Sequence, residues 1–261
     1  MDLKKISYSK DIGKYLIKST TTSYLNTIRR MIANKLPIMA IDTITFIENG
    51  SALFDEFLAN RIGLIPLTTD IETYVEPENC KCKGEGCARC QLKLNLNVTG
   101  PCTVYAEDLK STDPKVQPAL PKLPIVKLLE GQNLKFEAIA VLGKGKDHAK
   151  FCPGYAYYQG YPNFKIKDGN PKDMKLAVEQ CPKNILKVDG KKLKVTDVEK
   201  CDLCKACEEV CDSISVEGSK KDFILTIESW GQLPVKDIFA QALIVFDEEL
   251  DALDKEIKKL K

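Results

Sequence analysis

Eight of the chain's eleven cysteines fall into two short groups, and the second group constrains the fold more than any other feature. Residues 201–211 read CDLCKACEEVC, a C-x2-C-x2-C-x3-C run. Two-residue gaps turn the backbone around a small centre, so successive thiols point at one place, and iron–sulfur clusters are held at this spacing. The first group, CKCKGEGCARC at 80–90, follows the different pattern C-x-C-x4-C-x2-C. Scattered cysteine pairs would suggest a disulfide framework, whereas clustered thiols in an intracellular chain suggest metal. The opening MDLKKISYSKDIGKYLIKST has no apolar core of signal-peptide type, which predicts a cytoplasmic protein. No apolar run approaches the roughly eighteen residues of a membrane span.

A chain of 261 residues holds one large domain or two to three small ones. With 39 basic against 37 acidic residues the net charge is +2, so little direct nucleic-acid contact is expected from this chain alone. Only Arg29, Arg30, Arg61 and Arg89 are arginines, a lysine-heavy balance that hints at a thermophilic source.

Outside the cysteine groups the patterning is conventional. LKKISYS and KYLIKST read as strands. Tyr24, Leu25, Ile28, Met31, Ile32 and Leu36 then recur at three- and four-residue spacing, which predicts a helix from about Thr22 that Pro37 ends. IMAIDTITFIENG is strand-like, LFDEFLANRIG helical, and QLKLNLNVTGPCTVYA at 91–106 a strand or hairpin. Four prolines make 111–124 a loop. KFEAIAVLG, GYAYYQGYPNFKI and DFILTIES are further strands. In the final helix Val235, Phe239, Ala242, Phe246, Leu250, Leu253, Ile257 and Leu260 form one stripe of heptad-like spacing. A seam that long is hard to cover within a small domain, so a subunit interface is expected along it.

TTSYLNTIRRMIANKLPIMAIDTITFIENGSALFDEFLANRIGLIPL resembles the D subunit of archaeal RNA polymerase, the third-largest subunit of eukaryotic RNA polymerase II and, more distantly, the bacterial α subunit. GKGKDHAKFCPGYAYY and FILTIESWGQLPVKDIFAQAL match the same family, so the resemblance runs through nearly the whole chain in order. It implies an α+β fold in three parts. A dimerisation domain of two helices on an antiparallel sheet would take 1–39, 152–168 and 217–261. An inserted, mainly β domain with the cysteine-rich loop would take 40–151, and a ferredoxin-like α+β domain 169–216. It also implies a non-catalytic assembly subunit of DNA-directed RNA polymerase that pairs with subunit L. The pair would be the platform for the two largest subunits, alongside small assembly subunits. By position Tyr24, Leu25, Ile28, Met31 and Ile32, with Phe239, Ala242, Phe246, Leu250 and Leu253, would face the heterodimer partner. Arg29 and Arg30 would contact the large subunits.

A ferredoxin-like insertion belongs to some archaeal D subunits, and the repeat logic of ferredoxins sorts the thiols. In a two-cluster ferredoxin each cluster takes three ligands from one motif and its fourth from the other. The stretch from Cys181 to Cys211 resembles the second half of that repeat, with Cys181-Pro182 as the fourth position of a first motif. The three preceding positions hold Pro171, Met174 and Ala177, so the first cluster has no ligands. Cys181, Cys201, Cys204 and Cys207 make a full set for one cluster, expected as 4Fe-4S, or 3Fe-4S where a ligand is labile, and Cys211 is left over. A zinc site or a disulfide pair is the other reading of 201–211.

Cys80, Cys82, Cys87 and Cys90 on a short glycine-containing loop suit tetrahedral Zn2+, with Lys81, Lys83 and Arg89 offsetting thiolate charge. Disulfides, such as Cys80 or Cys82 with Cys87 or Cys90, are the alternative. His148 is the single histidine, which excludes a Cys/His nucleophile pair and leaves a structural hydrogen bond as its expected role. No G-x-G-x-x-G follows a strand, and no acid–base pair stands out. Two functions of different class remain: a polymerase assembly subunit, or a ferredoxin-type electron carrier or redox-sensing component.

Overall fold

A computed structural model describes residues 1–260. The chain begins with β1 (Asp2–Tyr8), β2 (Ile12–Lys18), α1 (Thr22–Asn34), β3 (Pro37–Asn49) and α2 (Asp55–Gly63). Then come β4 (Gln91–Thr99), β5 (Cys102–Tyr105), β6 (Lys110–Ser111), β7 (Pro124–Leu128) and β8 (Asn133–Lys144). It finishes with β9 (Gly154–Ile166), α3 (Pro171–Gln180), β10 (Leu186–Asp189), β11 (Lys192–Val195), α4 (Ala206–Val210), β12 (Ile214–Ser229) and α5 (Val235–Lys259). The class is α+β, with antiparallel strand pairing and five α-helices among the described residues. No helix among them is long and apolar enough to cross a membrane. The chain divides into two compact units.

One unit takes Ser9–Asp11, Ile28–Ala156 and the residues from Ile227 on. Its main sheet has the order β3-β8-β4-β6, with β5 and β7 forming a second small sheet. Strict alternation builds the core: Leu92, Leu94 and Leu96 of β4 are buried while Lys93, Asn95 and Asn97 between them face water. On β8 Leu134, Phe136, Ala138 and Ala140 repeat the pattern beside them. Each fully buried leucine contributes on the order of 1.5–3 kcal/mol. Leu58 and Ile62 of α2 close one side of this cluster. The stretch 91–106 is two strands but not a hairpin. The ladder of β4 is used by β8 on one edge and β6 on the other, so β5 pairs with β7 instead.

The other unit takes Met1–Tyr8, Ile12–Thr27 and Tyr157–Thr226. Most of the sheet β1-β2-β12-β9 and the separate β10–β11 hairpin belong to it. Its cysteine-bearing core gathers Met174, Ala177, Ile185, Leu186, Leu193, Ile214 and Val216. Here α3 begins with a side-chain cap, Asn170 Oδ1 accepting from the Lys172 N–H at 3.0 Å, and Pro171 sits at its first turn. β12 starts at Ile214 and runs unbroken through residue 217.

The stripe read along α5 divides in two. Val235, Ile238 and Ala242 are fully buried, and Lys35 holds Glu249 at 2.7 Å. Beyond them Leu250, Leu253 and Ile257 are 48%, 56% and 47% exposed. The covered face is thus centred on Ile238 rather than on Phe239, which is half-buried.

Candidate metal centres

The loop 76–91 is a series of tight turns that aim four sulfurs at one point. The Lys83 N–H donates to the Cys80 carbonyl at 2.9 Å, and the Cys90 N–H to the Cys87 carbonyl at 3.0 Å. Lys83, Gly84 and Gly86 are left-handed, with φ of 54°, 86° and 93°. At Gly86 it is this left-handed backbone that calls for glycine. As a result the thiols of Cys80, Cys82, Cys87 and Cys90 all lie within 4.8 Å of one another. Sγ···Sγ separations are 3.5 Å for Cys80–Cys87, 3.5 Å for Cys82–Cys90 and 3.8 Å for Cys87–Cys90. A tetrahedron with metal–sulfur bonds of about 2.3 Å has edges of about 3.8 Å, whereas a disulfide needs about 2.05 Å. This is a four-cysteine group able to hold a metal ion, its sulfurs at tetrahedral spacing and present as free thiols. Hydrogen bonds from the Cys80 and Cys90 thiols hold Cys82 down to about 6, while burial pushes Cys90 up to about 12. The Cys87 N–H donates to Cys90 Sγ at 3.3 Å, a further contact suited to a thiolate.

The second group draws on two distant segments. Cys181 caps the end of α3, and Cys201, Cys204 and Cys207 follow on a loop that enters α4. Leu203 and Lys205 are left-handed (φ 60° and 64°), which curls the loop back on itself. All four cysteines line one apolar pocket with Phe164, Ile185 and Val216. Asp202 Oδ1 accepts from the Cys204 N–H at 3.3 Å, and Gln159 Nε2 donates to the Cys201 carbonyl at 2.7 Å. Cys181, Cys201 and Cys207 are buried and Cys204 is exposed. Burial raises the Cys201 thiol and pushes Cys207 up to about 11. Cys211 points elsewhere: it is buried with its sulfur 3.0 Å from Ser213 Oγ. Met174 and Ala177, at two of the positions without thiols, are fully buried in the same core as Cys211. Gln159 and the left-handed pair Leu203 and Lys205 carried no sequence signal, since none is a glycine or a recognised ligand.

The residues expected at a heterodimer face fare differently from one another. Leu25, Ile28, Ile32 and Ala242 are 0–1% exposed. The chain's own residues already cover them, so these side chains have no surface to offer a partner. Tyr24, Met31, Phe239 and Phe246 are half-buried, and Leu250 and Leu253 are exposed. Ile244, 48% exposed, joins them although the heptad reading passed over it. Arg29 is half-buried and Arg30 exposed. His148 has the structural role expected of it, Nδ1 accepting from the Lys150 N–H at 3.1 Å.

Residues 40–152 match the model of the RNA polymerase Rpb3/RpoA insert domain. The chain is 40% identical to the DNA-directed RNA polymerase subunit Rpo3 of Methanosarcina acetivorans, covering 98% of this chain and 99% of that one. It is 39% identical to Rpo3 of Methanosarcina mazei, over 97% of each chain. Against Rpo3 of Pyrococcus furiosus it is 35% identical over 100% of this chain and 98% of the other.

Proposed function

Because the chain belongs to the Rpo3 family of DNA-directed RNA polymerase subunits, we propose that it is the α-like half of a heterodimer with subunit L. It is an RNA polymerase assembly subunit and not an electron carrier. In this reading it is non-catalytic, and the heterodimer is the platform on which the two largest subunits and the small assembly subunits gather. Arg29 and Arg30 reach the large subunits, and the three-part division into dimerisation, inserted and ferredoxin-like domains applies. The observation that carries the pairing is the exposed apolar half of α5, where Leu250, Leu253 and Ile257 stay about half exposed at heptad spacing. Co-expression with subunit L tests it. Leu250→Glu with Leu253→Glu should weaken pairing by roughly 30-fold or more, while the isolated chain keeps its melting temperature. Undiminished pairing of that variant would remove the reading.

Two inorganic groups accompany the proposal. Cys80, Cys82, Cys87 and Cys90 would hold Zn2+, which the tetrahedral sulfur spacing supports. Cys181, Cys201, Cys204 and Cys207 would hold an iron–sulfur cluster, 4Fe-4S when complete and 3Fe-4S if the exposed Cys204 is lost. Bound there, the cluster would supply a cross-link between the end of α3 and the loop before α4. The buried thiols of Cys201 and Cys207 must ionise to ligate, and the charge of the iron offsets that cost. Iron and zinc content of anaerobically purified protein tests both assignments.

A further inference from the structure

The β10–β11 hairpin carries a concentration of charge that neither the metal centres nor the exposed part of α5 uses. Residues 186–195, LKVDGKKLKV, hold four lysines against one aspartate, a net +3 that exceeds the +2 of the whole chain. The strands pair in the register Leu186↔Val195, Lys187↔Lys194, Val188↔Leu193 and Asp189↔Lys192. Gly190, left-handed at φ 60°, and Lys191 close the turn between them. Alternation then sorts the side chains. Leu186 and Leu193 are buried and fasten the hairpin to the core around Met174. Lys187, Lys192 and Lys194 share the opposite face and stand in solvent, with Lys191 exposed at the tip.

Lys187 and Lys194 lie directly opposite each other, and like charges in that position are destabilising. The two acids nearby do not relieve them. Asp189 is the cross-strand partner of Lys192, and Asp168 sits 3.4 Å from the same Lys192 amine. Lys187, Lys191 and Lys194 take part in none of the ion pairs among the described residues. Lys191, Lys192 and Lys194 also line one open groove, with Ile166 and Val195. A short, tightly turned ribbon thus presents three amines that the chain itself leaves without a counter-ion, the electrostatic footprint of an anion-binding surface.

We propose that this hairpin binds the phosphate backbone of duplex nucleic acid without reading its sequence. Lys192 and Lys194 are two residues apart on one strand, about 7 Å, and Lys187 adds an amine across the ribbon. Amines so spaced match the scale of successive phosphates. Residues 186–195 contain no Arg, Asn or Gln to read a base edge and no aromatic ring to stack on an unpaired base. Contact with a duplex backbone is what remains. An acidic protein fits less well, because protein interfaces are poor in lysine and are anchored by Arg and aromatic side chains that this hairpin lacks. The near-neutral balance of the whole chain, which predicts little nucleic-acid contact, conceals this local excess. The proposal goes beyond the assembly reading and does not depend on pairing with subunit L.

The test uses the full chain, purified anaerobically, and a fluorescein-labelled DNA duplex of mixed sequence. Anisotropy titrations at a series of salt concentrations give the affinity and its salt slope. Lys187→Gln, Lys191→Gln and Lys194→Gln combined should lower the slope by about 2–3 and weaken binding at low salt about tenfold or more. Lys93→Gln, Lys110→Gln and Lys127→Gln combined remove the same charge elsewhere, from exposed lysines outside every ion pair among the described residues, and should change the slope little. Failure of the unaltered chain to bind, or equal losses in the two triple variants, would overturn the proposal. Acetylation footprinting needs no variant: bound duplex should protect Lys187, Lys191 and Lys194 severalfold and leave Lys93, Lys110 and Lys127 as reactive as before. Equal protection by polyglutamate at the same charge concentration would assign the face to an acidic protein and overturn the nucleic-acid assignment. A hairpin variant that binds DNA normally but aggregates would make the lysines guards of an exposed strand edge, and would overturn it too.

Discussion

The two cysteine centres are built on opposite principles. The group at 80–90 is local: eleven residues, three left-handed positions and a few turn hydrogen bonds bring four sulfurs within 4.8 Å. The group at 181–207 is not, since Cys181 enters from the end of α3 and the other three come twenty and more residues later. A local site can form without the fold around it and can be lost without it. A site that joins two segments is part of how its unit folds, so binding there is also folding free energy.

The sharpest break in that comparison is Cys201→Ser. Binding free energy at such a site is folding free energy, and the whole stability of many domains is only about 5–15 kcal/mol. Iron per chain should fall to near zero, and limited proteolysis should cut throughout 169–216. Continued protection of that segment without iron would show that its own core suffices. Removing metal from the other centre, by chelation or by Cys90→Ser, should do much less. The core of Leu94, Phe136 and Ala138 does not depend on the loop, so the melting temperature should drop by only a few degrees, on the order of 1–2 kcal/mol, with cleavage confined to 76–91. In the metal-free loop Cys82, held down to about 6, is a thiolate at pH 7 while Cys90, pushed up to about 12, is not. Alkylation followed by peptide mapping should therefore find Cys82 modified first.

Sequence patterning reached much of this, and the places where it stopped have physical causes. Alternation in β4 and β8 is visible because one face meets a core and the other meets water. Spacing named Cys181, Cys201, Cys204 and Cys207 together, and the four line one pocket. Partners of strands were not legible: nothing in 91–106 states that both edges of β4 are taken. The stripe on α5 gave a helix face but not what covers it, so core residues such as Ala242 and exposed ones such as Leu253 looked alike.

Cys211 supplies the smallest and most discriminating test. It stands in a cluster-type run, yet it is buried in one core with Met174 and Ala177, and its sulfur lies 3.0 Å from Ser213 Oγ. Met174 and Ala177 are fully buried in that core, so apolar packing surrounds this part of it. A buried thiol of this kind is a small apolar filler with one weak polar contact. Cys211→Ala should therefore leave iron content and visible absorption unchanged and cost about 1 kcal/mol through the small cavity it opens. Chemical denaturation with iron analysis on the same samples reads both quantities. A variant that loses iron in proportion to its stability would make Cys211 a ligand and return the centre to a purely local C-x2-C-x2-C-x3-C site, erasing the contrast with residues 80–90.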